Sequence, residues 1–375
     1  MVRWIALILT GVLAVGTANA SAEFNSAWRA YRTAVEEGDK AAELTTSTKV
    51  VELGRAMFAG DDERLPVLIN NHAVALLRNG QSRLASTYFD EAYTLAKTIH
   101  DDESEAVLVL VRTRAEVLDA ERDWDEAHRW YKRALGLTRK VYPTDSVEYA
   151  EQALQLGAEL GKRSPNTGIA ILKEAGEIYS ANDAISDLGV VKYYIARIEL
   201  GRGKRSRATK IFEEALTLLD PDVPLAKARS LAIRAALVPL YERRGDSEKA
   251  TEHCVAIGRD SKFADDQDYL PLYRMAPAYP PTLLRSGVQG YVDLEFTVDK
   301  SGIVRNVQAT RVVHTGQSEN AGALGPESRM SRRQRLFADA ARAAVERFRY
   351  APRFVNGEPV ETAGVATRIG FEIAN

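Results

Sequence analysis

A mostly α-helical chain, an α-solenoid followed by a small α+β domain, is what this sequence of 375 residues predicts. Three observations carry that expectation. A small residue, a bulky one four positions on and a small or apolar one three beyond it recur as Ala85/Phe89/Ala92, Ala127/Tyr131/Ala134, Gly168/Leu172/Ala175, Ala208/Phe212/Ala215 and Ala250/Cys254/Ile257, with starts 42, 41, 40 and 42 residues apart. So regular a period means stacked supersecondary units, each burying an apolar face on the next. The period stops near residue 271, and residues 291–300 alternate instead, with Val292, Leu294, Phe296 and Val298 on one side and Asp293, Glu295 and Asp299 on the other. A period of two marks a half-buried strand. Lastly, Asn356-Gly357 is a strong two-residue hairpin signal.

The elements follow in chain order. Residues 1–20, MVRWIALILTGVLAVGTANA, place Arg3 before an apolar run and end in Ala18-Asn19-Ala20, which predicts an export signal cleaved after Ala20. The apolar run of 13 residues is shorter than the ~20 that span hydrocarbon, although an uncleaved membrane anchor is the alternative. Residues 21–268 form the helical repeat domain, about six units of about 42 residues, the first of them degenerate and turning at Gly38-Asp39. Gly80, Gly203 and Gly245, each five residues before the small residue, supply turns between paired helices. Pro239 falls inside the first helix of the last unit and predicts a kink.

Residues 269–375 form the α+β domain. After the first strand, Asp299-Lys300-Ser301-Gly302 makes a turn, and residues 303–313 return as a second strand whose poorer alternation predicts a bulge. A polar stretch, TGQSENAGALGPESRMSRR, reads as a loop. Residues 335–348 regain a helical period, with Leu336, Phe337, Ala340, Ala344, Val345 and Phe348 as the apolar stripe. The last strand has Val365, Thr367, Ile369 and Phe371 on its buried side.

The stretches NNHAVALLRNGQSRLASTYFDEAYTLA and YYIARIELGRGKRSRATKIFEEALTLL make the first domain resemble the tetratricopeptide repeat. The usual period there is 34, so each unit here carries ~8 more residues, about one extra turn in each of two helices. The resemblance implies that first helices of successive units line a concave surface that grips peptides. By register, Asn70, Arg112, Glu116, Asp119, Tyr193 and Arg197 are the inward candidates. Their mixed signs argue against a groove dedicated to a carboxylate terminus.

AYPPTLLRSGVQGYVDLEFTVDKSG and FRYAPRFVNGEPV make the second domain resemble the C-terminal domain of TonB-type energy transducers. A Tyr-Pro before the first helix, a Gly before the first strand, Asp-x-x-Gly at the turn and an aromatic-x-Pro ahead of Asn-Gly carry it. The match lands on Tyr279, Pro280, Gly287, Gly290, Gly302, Pro352, Asn356 and Gly357. It implies strand addition, in which an extended segment of an outer-membrane protein pairs with a sheet edge. The implied edge is the last strand, Val365, Thr367, Arg368, Ile369, Gly370 and Phe371, with Tyr279 and Pro280 nearby. The chain departs from the family in its polar insertion and in lacking a transmembrane helix followed by a proline-rich span. A periplasmic scaffold is therefore expected before the alternative, an inner-membrane-anchored transducer supporting outer-membrane transport.

Composition narrows the remaining classes. The formal net charge is -2, divided as -6 before Leu272 and +4 from it onward. A single cysteine, Cys254, excludes an internal disulfide and reads as a small buried hydrophobe. The five histidines show no metal-binding spacing, and no Gly-x-Ser-x-Gly elbow occurs. Arg329, Arg332, Arg333 and Arg335 cluster without interleaved aromatics, a pattern that fits an anionic envelope polymer better than nucleic acid. The expectation is an interaction protein rather than an enzyme, with no cofactor or metal, whose partners are an envelope or outer-membrane protein segment and a peptide in the repeat groove.

Overall fold

The computed structural model describes residues 18–58, 60, 62–101, 103–260, 269–315 and 330–373. The expected export signal up to residue 17 and most of the polar insertion, including Arg329, lie outside them. Among the described residues no helix is long and apolar enough to cross a membrane. Compactness divides the chain between Gly203 and Lys204.

The first unit is all helical. It comprises α1 (Ala18–Glu37), α2 (Lys40–Met57), α3 (Arg64–Arg78), α4 (Ser82–Ile99), α5 (Glu105–Ala120), α6 (Trp124–Val141), α7 (Val147–Gly161), α8 (Pro165–Ala181) and α9 (Ile185–Gly201). Side-chain caps start several of these. Asp39 accepts from the Ala41 N–H at 3.0 Å, Ser104 from Val107 at 3.3 Å and Ser146 from Tyr149 at 3.1 Å, each satisfying a donor the helix itself leaves open. Gly80 sits in the left-handed region at φ +75°, and Arg122 takes the equivalent turn of the next repeat at φ 65° without a glycine.

The recurring residues are core. Ala85, Phe89 and Ala92, like Ala127, Tyr131 and Ala134, are buried, and Ala85 packs with Leu76, Leu77 and Val117. Ala85→Leu is expected to overpack that site and lower stability by about 1–3 kcal/mol. A urea titration should show it as a lower midpoint at unchanged slope. A close backbone approach joins α7 and α8. A Cβ at Gly168 would lie 2.3 Å from the Cα and 2.6 Å from the N of Gly161, so two backbones touch where any side chain would intrude.

The second unit holds α10 (Arg205–Leu218), α11 (Pro224–Arg244) and α12 (Ser247–Asp260) together with the β elements. α11 runs on through Pro239, the residue at which a kink is expected, as one 21-residue element. Leu237, Val238, Leu240 and Tyr241 are buried on both sides of the proline, and left-handed Gly245 ends the helix beyond it. Packing of that segment holds the chain helical where one backbone hydrogen bond is missing.

Beyond it come α13 (Pro281–Arg285), β1 (Gly290–Val298), β2 (Val304–His314), α14 (Arg332–Val345), β3 (Arg353–Val355), β4 (Glu358–Val360) and β5 (Thr362–Phe371). The main sheet is antiparallel in the order β2-β1-β5. Val292, Leu294, Phe296 and Val298 are buried as the alternation predicts, and the β1–β2 register shifts twice, where the return strand alternates poorly. Asp299 Oδ1 accepts the N–H groups of Ser301 and Ile303 at 2.9 and 3.0 Å to set the turn. α14 begins three residues earlier than expected because Ser331 and Gln334 form a capping box. Its apolar face is also rotated: Ala338 and Ala341 are buried, whereas Leu336 and Ala340 are only partly so.

The hairpin β3–β4 forms a separate two-stranded sheet rather than a fourth strand, turning through Asn356 and Gly357 at φ 52° and 83° as a type I′ turn requires. It packs on α12, where a Cβ at Gly258 would meet the Pro352 carbonyl at 2.2 Å. Beneath it Arg349 Nε lies 2.8 Å from Glu242 Oε1 of α11, with both side chains nearly enclosed. Cys254 of α12 is fully buried and its thiol is pushed up to about 12 by burial, in keeping with a packing role.

Candidate functional site

Three helices of the first unit converge on a pocket of about 250 Å³. α5 contributes Asp119, with Arg112 and Glu116 on the same face because the three positions are spaced by four and three, close to one and two helical turns. α6 contributes Trp124, His128 and Tyr131 at the same spacing, and α7 contributes Glu159 and Lys162. Lys162 Nζ ion-pairs with Glu159 and lies 3.6 Å from Asp119, linking α7 to α5. Arg112 donates to the side-chain carbonyl of Gln152, so its charge is directed toward α7. Trp124 is 50% exposed at the rim, with the Arg163 guanidinium 6.0 Å from its ring and Arg163 itself paired to Asp125 at 2.7 Å.

The electrostatics set the pocket apart. Burial pushes the Glu116 carboxyl up to about 7; Arg112 opposes this, and the Glu159 and Asp119 carboxylates add to it. The Tyr131 phenol is raised by burial and by the same three carboxylates. Burial also lowers His128, helped by Lys132 and Arg163 and opposed by Asp125, and its Nε2 lies 3.2 Å from the Ser164 hydroxyl. Lys162 stays above its ordinary value although burial works against it, because Glu159 and Asp119 hold its proton. Among the described residues no cluster of His, Cys, Asp and Glu has the makings of a metal site.

Of the six groove candidates, Arg112, Glu116 and Asp119 come together here. Asn70 does not line an open surface: it is 4% exposed in α3, which is buried almost all round, and its Oδ1 has no hydrogen-bond partner. Tyr193 is buried too, and Arg197 reaches its hydroxyl at 3.4 Å, so these two form a local pair on α9. Register reasoning applied to first helices missed Trp124 and His128, which lie on a second helix. The spacing Trp-x-x-x-His-x-x-Tyr, which puts the three rings on one face of α6, was the signal.

In the second unit Tyr279 packs its ring on Phe337 and Phe371, and its hydroxyl donates to the Val288 carbonyl at 2.8 Å. Pro280 is buried and starts α13. Along β5, Val365, Ile369 and Phe371 are buried, Thr367 is half-buried, and Arg368 and Gly370 are exposed. Arg368 makes a two-pronged contact to Asp293 at 2.6 and 3.0 Å while its guanidinium stacks 4.1 Å from the Tyr291 ring centre. Among the described residues β5 pairs only with β1, so its other side is an edge.

Residues 64–140 match the tetratricopeptide repeat. These are α3 to α6, which include the α5 and α6 walls of the pocket. Likeness to solved structures is looser. Kinesin light chain TPR-like repeats from Podosopora anserina are 15% identical, with 53% of this chain and 95% of that one covered at a TM-score of 0.44. BtubC (BKLC) from P. vanneervenii is 18% identical, covering 71% and 99% at 0.46. MamA from Desulfovibrio magneticus RS-1 is 18% identical, covering 53% and 95% at 0.37. At these TM-scores the likeness says nothing of what this chain binds. No curated protein sequence matches the chain. A repeat-built surface of this kind is a protein–protein interaction scaffold.

Proposed function

We propose that the protein is an exported, non-enzymatic scaffold of the Gram-negative periplasm that holds a peptide on its repeats and docks an envelope protein on the β5 edge by strand addition. The observation that carries this reading is the edge itself. β5 is register-paired to β1 on one side, exposes Ala366, Arg368 and Gly370, and has no lysine along its length to discourage a second chain. The TonB-like resemblance supports it through an element order of short helix, two strands, helix, hairpin and last strand, which is the order of α13 to β5. The family's implied Tyr279 supports it from beneath, since its ring contacts Phe371 at the end of the edge strand.

Neighbouring residues in a strand turn their N–H groups to opposite sides. Of Thr367→Pro and Arg368→Pro, one therefore removes a ladder bond to β1 and the other removes only a donor facing the open edge. The second variant is expected to stay folded by circular dichroism and to lose the outer-membrane protein captured by the wild-type chain. Reversal of Arg332 and Arg333 to glutamate is expected to leave that capture unchanged. A folded proline variant at each position that still captures the same protein would sink strand addition.

A further inference from the structure

We propose that the pocket between α5, α6 and α7 receives the side chain of a lysine or arginine from an extended partner peptide, its methylenes against Trp124 and Tyr131 and its cationic end among Asp119, Glu159 and Glu116. The inference rests on reading the repeats as a peptide-binding surface and gives that surface a chemistry. At about 250 Å³ the cavity falls below the ~300–1,000 Å³ of pockets that enclose drug-sized ligands, so it suits a single long side chain.

Charge selects which side chain. Two carboxylates, Asp119 and Glu159, line the site with Lys162, and Glu116 lies close enough to interact with both of them and with Tyr131. Arg163 is paired with Asp125, whereas Arg112, which donates to the neutral Gln152 carbonyl, keeps its charge beside Glu116. An incoming anion would meet Asp119 and Glu159 already paired with Lys162, whereas an incoming cation finds Glu116 without a hydrogen bond or ion pair among the described residues, with the Arg112 charge favouring its ionised form. Tyr131 points to a ligand independently of the acidic groups: it is 5% exposed and lines the pocket, yet its hydroxyl makes no hydrogen bond among the described residues. A phenol oxygen so placed can accept from an ammonium or guanidinium. Trp124, half exposed at the rim, offers a flat apolar face for the methylenes behind such a cation.

Glu116 then links occupancy to pH. It faces Arg112 and Asp119 from its own helix, Tyr131 from α6 and Glu159 from α7. A cation favours its ionised form, so binding releases a proton and tightens as pH rises through about 7.

The test is an array of unstructured, mixed-sequence peptides of fixed length, each sequence present in four versions with lysine, arginine, norleucine or glutamate at its centre, probed with the labelled full chain at several pH values. Among sequences that bind, the lysine and arginine versions are expected to exceed the norleucine version by about tenfold and the glutamate version by more. Asp119→Asn with Glu159→Gln should erase that preference while norleucine binding persists. Glu116→Gln should keep the preference and flatten the pH dependence. Equal binding of norleucine and lysine, or preference for glutamate, would overturn the cationic assignment and leave the peptide surface standing. Binding by no peptide of any version would overturn both.

Discussion

Arg349→Met is expected to destabilise the second unit by about 3–5 kcal/mol, because it strips the cation from a carboxylate that cannot reach bulk water. Glu242 is 7% exposed, and beyond Arg349 the Ser247 hydroxyl donates to its Oε2 at 3.3 Å. Pairing at 2.8 Å gives proximity, but the Arg349 N–H is not well aligned for a hydrogen bond, so the pair contributes through charge more than through geometry. Adding Glu242→Leu to the arginine variant should recover most of the loss, since two apolar side chains need no compensation there. Urea unfolding of the full chain, followed by a probe in the β elements, reads both steps. The same logic predicts that a fragment of residues 204–375 outlasts one of residues 269–375, which lacks Glu242 and the α12 surface beneath the hairpin.

Gly168→Ala should damage the first unit, and Gly161→Ala should barely touch it. The two glycines face each other across α7 and α8, yet their surroundings differ in kind. A Cβ on Gly168 meets Gly161 and Gly157 backbone atoms at 2.3 to 2.7 Å, and the helices must part to admit it. A Cβ on Gly161 meets chiefly the Ile198 Cδ1 at 2.3 Å, the far end of a side chain that can rotate away. The expected loss for Gly168→Ala is about 1–3 kcal/mol or more. For Gly161→Ala, strain is offset by the ~1 kcal/mol by which alanine exceeds glycine in helix propensity. Thermal unfolding of the two variants side by side gives the contrast, and equal losses would refute this account of the contact.

Both predictions concern contacts that the sequence did not disclose. What it did disclose has a common cause. Ala85, Phe89 and Ala92 are legible because size alternation on a helix reports directly what its neighbour can accept, and β1 is legible because one of its faces is dry and the other wet. Arg112, Glu116 and Asp119 were legible as a group because they share one face of one helix. Glu159 and Lys162 were not, because they join that group through helix packing, which leaves no local pattern. Asn70 misleads for a related reason: its polarity says surface, but α3 is buried on almost every side, Asn70 included. Gly258 reads as an ordinary small residue until Pro352, far along the chain, is found against it.

The edge strand also carries its own measure of length. Gly364 sits at φ +70°, and the β1–β5 register holds without a break only from Val365, opposite Phe296, to Phe371, opposite Gly290. That is a run of seven consecutive pairs, about 23 Å at the usual rise of ~3.3 Å per strand residue. Under the proposed strand addition, a docked segment would keep in step with the sheet over that distance, up to Gly364, where the backbone turns into the left-handed region. Partners would thus be sorted by how many residues they can hold extended, and a segment interrupted by proline or a turn within seven residues would be read as too short, whatever its side chains.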